Sequence, residues 1–116
     1  MDKNIGQYLH DIQNSIQEID EYTSVNRTYE HFLNNKMLQR AVERNLEIIG
    51  EAINRILKAD PSFQIKDAKN VINTRNKISH GYDQVDLTII WGIVINHLPN
   101  LKTEVEKLLA EYNTQT

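Results

Sequence analysis

The sequence predicts an all-α protein, a mainly antiparallel bundle of four to five helices. Three observations carry that prediction. Apolar residues recur at intervals of three and four along nearly the whole chain of 116 residues. Only two Pro and four Gly interrupt it, which leaves room for long regular elements. No stretch alternates apolar and polar residues with the period of two that a half-buried strand requires. The length corresponds to one domain, 1–116, large enough for a real core, with no internal repeat and no low-complexity linker.

Each element has its own justification. Ile5, Leu9, Ile12, Ile16 and Ile19 form one stripe and predict a first helix over about 3–23. Thr23-Ser24-Val25-Asn26 is a polar break rich in capping residues. A short helical turn over about 27–34 seats Tyr29, Phe32 and Leu33. A long helix follows over about 36–58, with Leu38, Ala41, Val42, Leu46, Ile49, Ala52, Ile53, Ile56 and Leu57 facing inward. Gly50 lies inside it, where Gly is about 1 kcal/mol less favourable than Ala. Its expected use is a tight helix–helix contact, within the subunit or across a dimer. Asp60-Pro61 ends this helix.

Ile65, Ala68, Val71, Ile72 and Ile78 mark the next helix, expected to end near His80, with Gly81 suited to the left-handed position beyond it. Asp86 is the expected N-cap of a helix through Ile89, Ile90, Ile93 and Val94. Pro99 should kink or restart that helix. Leu101, Val105, Leu108 and Leu109 give a last amphipathic stretch, with a tail from Asn113 expected to fray.

Composition excludes several function classes. Hydrophobic and charged contents of 40% and 25% are those of an ordinary soluble protein. There is no Cys, hence no disulfide, thiolate catalysis or Cys–zinc site. The start, Met1-Asp2-Lys3-Asn4, has no apolar core of a signal peptide, and no apolar run approaches a membrane span. The expectation is a cytoplasmic protein with no membrane association. A net charge of −3 argues against a general polyanion binder. Yet residues 62–82 hold Lys66, Lys69, Arg75 and Lys77 against Asp67 alone, a local +3, while the remainder carries −6. The plain interpretation of such cations is a solvated helix face.

That basic segment contains Arg75-Asn76-Lys77-Ile78-Ser79-His80-Gly81-Tyr82, the densest chemistry in the chain. Arg grips a phosphate through a bidentate fork, and His moves a proton near neutral pH, so the pair suits metal-free phosphodiester chemistry. Asn76 and His80 are four apart and share a helix face, so Asn76 can orient the imidazole or a phosphate oxygen. Arg75 and His80 are five apart, which on a regular helix is a turn of about 500°, leaving them about 140° out of line. Convergence then needs either a helix that ends at His80 or a second copy across a twofold axis. A helix C-terminus favours the imidazolium, whereas a neighbouring Arg75 opposes it. The plain alternative is a capping His beside a surface Arg.

Elsewhere the chemistry thins out. His10, His31 and His97 have structural placements, and no His pair has metal-binding spacing, so no metal and no cofactor are expected. Asp83 and Asp86 suit a loop and a cap better than a ligand set. Lys36, Arg40 and Arg44 form a cationic row on the long helix, interleaved with Glu43 and Glu47. Such a row either flanks RNA or is a solvated face. Trp91 and the Tyr residues have the spacing of core or dimer packing.

The Arg75-x4-His80-x-Tyr82 segment resembles the signature of HepT-like toxins, in the HEPN superfamily of ribonucleases. A second stretch, Arg44-Asn45-Leu46-Glu47-Ile48-Ile49-Gly50-Glu51-Ala52, resembles that family's "R-x-LEIIGEA" segment on the preceding long helix. The spacing between the two, the Arg-Asn opening and the continuation from Val85-Asp86 to Trp91 agree as well. The resemblance covers residues 2–112 or so; the loop over 23–35 is less typical. It implies a HEPN-like bundle that dimerises and brings two motifs to one cleft. It implies a metal-independent endoribonuclease with Arg75 and His80 catalytic and RNA as substrate. It implies a type VII-like toxin–antitoxin pair, in which a minimal nucleotidyltransferase antitoxin transfers AMP to the motif tyrosine, here Tyr82. A helical module that partners a nucleotidyltransferase without cutting RNA is the alternative.

Overall fold

A computed structural model describes residues 3–75 and 84–115. All of the regular structure in them is helical: α1 (Lys3–Ser24), α2 (Tyr29–Leu33), α3 (Lys36–Ala59), α4 (Lys66–Arg75), α5 (Gln84–Gly92), a π-helical segment (Ile93–His97) and α6 (Leu98–Gln115). The all-α bundle expected from the apolar spacing is the fold.

The centre is built by α1, α3 and α6. On α1 the expected stripe is sealed, with Ile5, Leu9, Ile12, Ile16 and Ile19 each at most 1% exposed. Tyr8, near the start of α1, meets Arg55 near the end of α3, so the two helices run antiparallel. The α1–α6 pair is antiparallel too. Gly6 lies against the ring of Tyr112, and Asp20 pairs with Lys102 at 3.3 Å. A Cβ on Gly6 would stand 2.6 Å from that ring, so the close approach at this end of the bundle uses the missing side chain.

Along α3 the buried set is wider than the apolar pattern. Val42, Leu46, Ile49, Ile53 and Ile56 are inside as expected, and Gly50 is buried, whereas Ala41 and Leu57 are only half-buried. Two polar residues join the interior. The Gln39 amide donates to the carbonyls of Phe32 (2.9 Å) and Leu33 (3.0 Å), which ties the end of α2 onto α3. Asn45 donates to the Ala41 carbonyl one turn back. Buried amides persist because these bonds replace the water they lost. The short α2 starts at Thr28, whose hydroxyl accepts from the His31 amide, and Asn35 caps α3 by accepting from Leu38.

One local expectation needs correction and another takes a definite form. Asp86 is not an N-cap: α5 begins at Gln84, and Asp86 lies in its first turn, 6% exposed. A carboxylate there still gains from the positive end of the helix dipole. The disturbance expected at Pro99 takes the form of a π-helical segment just before it: α5, the π segment and α6 follow one another, and the Leu98 N–H reaches the Ile93 carbonyl five residues back. Proline has no N–H and its ring crowds the carbonyl four residues earlier; the wider π turn just ahead of it re-registers the carbonyls. The helix α6 runs to Gln115. The expected end of the fourth helix near His80, and the roles given to Ile78 and Gly81, lie outside the described residues.

Candidate functional site

Arg75 is the last residue of α4, and α5 starts at Gln84. Asn76, His80 and Tyr82 fall between these helices and lie outside the described residues. The described structure therefore defines the two posts between which the motif is strung, and each post is fixed in its own way.

The α4 post is held partly by apolar contact, with Ile65, Ala68 and Val71 buried. Its N-terminus is held by a partner remote in sequence. The Glu104 carboxylate, on α6, accepts from the backbone amides of Lys66 (2.8 Å) and Asp67 (3.2 Å). These amides have no partner within their own helix, and an anion there also meets the positive end of the dipole. The helix that ends at Arg75 is thus anchored at its far end by a charged cap.

The α5 post is clamped from α2. The Tyr29 and Thr88 hydroxyls lie 2.8 Å apart, and the Phe32 and Trp91 rings stack with centroids 5.1 Å apart and planes 28° from parallel. Phe32 is fully buried and Trp91 partly so, which makes Trp91 a packing residue in the subunit. Leu87 and Ile90 face the core, and α5 also packs against α4. The short α2, itself tied to α3 through Gln39, therefore holds the middle and end of the helix that follows the motif.

The other His residues are not gathered into a site. His10 is exposed, while His31 and His97 are half-exposed on α2 and the π segment. Among the described residues no group of three or more His, Asp or Glu side chains could hold a metal ion. Among them, too, no helix is long and apolar enough to cross a membrane. Lys36, Arg40 and Arg44 are all exposed on α3.

Two surface grooves accompany α3. One, of about 450 Å³, is lined by Tyr8, Glu51, Arg55 and Lys58. Its Arg55 is already engaged, with Nε 2.9 Å from the Glu51 carboxylate. The Glu51 bond first, and Tyr8 second, push the guanidinium pKa further up, so this cation stays charged but is committed to its neighbour. The second groove, about 560 Å³, lies between the end of α3, the 60–65 loop and α4, with Phe63, Lys66 and Lys69 in its lining. Sequence reasoning did not single it out. Its one sequence signal was the local excess of cations over 62–82, which also fits a solvated helix face.

Comparisons with known proteins bear on this architecture. The family described as "Ribonuclease HepT-like" matches residues 12–108. A candidate ribonuclease of Methanocaldococcus jannaschii is 33% identical over 110 residues, covering 94% of this chain and 90% of its own. A second from that organism is 37% identical over 106 residues, covering 90% and 95%. A candidate ribonuclease HepT of Thermococcus cleftensis is 37% identical over 105 residues, covering 87% and 92%. No solved structure gives a significant match. The family match takes in both posts and the whole Arg75-to-Tyr82 segment, and on these grounds the chain belongs to the HepT-like ribonuclease family.

Proposed function

We propose that this protein is a metal-independent endoribonuclease, the toxin of a toxin–antitoxin pair, with Arg75 and His80 as its catalytic residues. The observation that carries the proposal is the intact Arg75-x4-His80-x-Tyr82 segment in a chain of the HepT-like ribonuclease family. The nucleophile is the RNA's own 2′-OH. His80 acts as general base or general acid, and Arg75 stabilises charge on the phosphoryl oxygens. The 2′-oxygen forms a bond to phosphorus, the bond to the 5′-oxygen breaks, and that oxygen takes up a proton. The products are a 2′,3′-cyclic phosphate and a 5′-OH end. The need for a 2′-OH leaves DNA uncut. Asn76 supports the site by orienting the imidazole or a phosphate oxygen.

The working unit is a homodimer with the two motifs near its axis. The five-residue step from Arg75 to His80 supports this, because one regular helix points the two side chains apart. A full-activity monomer in sedimentation would remove that support.

Tyr82 is the control point. A nucleotidyltransferase antitoxin that attaches AMP to its hydroxyl would place a bulky anion within a few residues of Arg75 and His80, where it competes with RNA phosphate and repels the strand. Co-expression with a minimal nucleotidyltransferase antitoxin should add the mass of one AMP group to the wild-type chain and none to Tyr82→Phe. Neutralisation without added mass would mean that the partner works by binding.

The nuclease itself is tested by incubating the purified protein with single-stranded RNA in excess EDTA. Fragments ending in 2′,3′-cyclic phosphate are expected, with none from the matching DNA. An uncut RNA that still binds would favour the non-catalytic helical module.

A further inference from the structure

We infer that the groove beside α4 holds the RNA strand next to the scissile phosphate, with Lys66 and Lys69 on phosphate groups and Phe63 beneath a base. The inference rests on the ribonuclease proposal and adds to it the surface that grips the substrate.

The groove has the chemistry of a single-strand track. Its floor is apolar, made by the half-buried Leu57, Phe63 and Ile72. Lys66 and Lys69 stand on its α4 side, both exposed. Asn54, Gln64 and Asn73 add amides, which donate to and accept from base edges. Among the described residues that line it none is acidic, in a chain whose net charge is −3. An aromatic face for stacking beside cations that follow the backbone is how proteins hold single strands without reading a sequence.

Its position fits the motif. Arg75 ends the helix on which both lysines stand. Lys69 is six residues earlier and Lys66 nine, or about 9 Å and about 13.5 Å along the axis. The same 100° step sets Arg75 about 120° around the helix from Lys69 and about 180° from Lys66, so a strand lying in the groove reaches Arg75 by crossing the C-terminal end of α4.

The attraction for phosphate comes from the lysine side chains rather than from the helix end. The Glu104 carboxylate already occupies the Lys66 and Asp67 amides. The groove beside Tyr8 is the weaker candidate, because its Arg55 is bound to Glu51.

The test is binding of a fluorescein-labelled single-stranded RNA to the His80→Ala protein, followed by anisotropy across a salt series. Adding Lys66→Gln and Lys69→Gln should weaken binding about tenfold. It should also lower the slope of log K against log salt by about 1.4, near 0.7 for each phosphate that no longer meets a lysine. Phe63→Leu keeps an apolar floor but removes the ring; it should weaken binding with the slope unchanged. Unchanged affinity and slope in the lysine variant would overturn the inference. A change in sedimentation without a change in RNA affinity would also overturn it, making the groove a subunit contact. The nuclease proposal is scored separately on wild-type protein. If that protein cuts RNA while the lysine variant binds normally, only the groove fails. If it binds through the lysines but never cuts, only the nuclease fails.

Discussion

Two halves of the molecule are held by different physics. The α1–α3–α6 half is a stack of aliphatic stripes: on α1 and α3 every third or fourth residue is Ile, Leu or Val, and most of these are closed to solvent. The α4–α5 half, which brackets the motif, has shorter helices and leans on polar anchors. Glu104 caps α4, Tyr29 meets Thr88, and Gln39 pins α2 so that Phe32 can stack on Trp91. The hydrophobic effect is non-directional, whereas hydrogen bonds fix the orientation of the groups they join. The half that brackets the motif is the half tied by directional contacts.

That contrast can be broken experimentally, and the largest effect belongs to the aliphatic half. Ile53→Ala removes a fully buried side chain of α3 and should lower the unfolding free energy by about 3 kcal/mol in a denaturant titration. A loss below about 1 kcal/mol would mean that the centre is loosely packed. Glu104→Ala should have a smaller and more local effect, about 1 kcal/mol, because it strips the cap from α4 alone. Amide exchange should then speed up in α4 while α1 stays protected. Equal acceleration in both helices would erase the distinction between the halves. Gly6→Ala should have the smallest effect, within about 1 kcal/mol of zero. The gain in helix propensity offsets the shift forced on the Tyr112 ring, a side chain near the end of α6. A loss of several kcal/mol would show that the ring is locked in place.

What the sequence made legible follows the same division. The stripes announced themselves, and the expected spans of 3–23 and 36–58 became Lys3–Ser24 and Lys36–Ala59. Helical period is a local signal, and aliphatic burial obeys it. The polar anchors are not local. Glu104 caps a helix 38 residues earlier in the chain, and nothing near Lys66 announces it. Gln39 and Asn45 were absent from the inward-facing set on α3, because apolar spacing marks only apolar residues, whereas their burial depends on which carbonyls lie within reach. The π segment was hidden for a related reason. Pro99 signals a disturbance, but whether a helix breaks or widens is decided by the packing of the turns around it. The candidate site was legible as residue types: Arg75, His80 and Tyr82 stand within eight residues of sequence. Whether they converge was not legible, because that depends on how α4 and α5 are posted and on whether a second copy contributes.

The central claim is that the motif supplies chemistry while the bundle supplies stability, and one paired measurement tests it most directly. Arg75→Ala and His80→Ala are each compared with wild type for RNA cleavage in EDTA and for thermal melting followed by circular dichroism. Cleavage should disappear in both variants, while helical content and melting temperature stay near wild type. A variant that keeps full cleavage, or one that loses cleavage only because it unfolds, would contradict the claim.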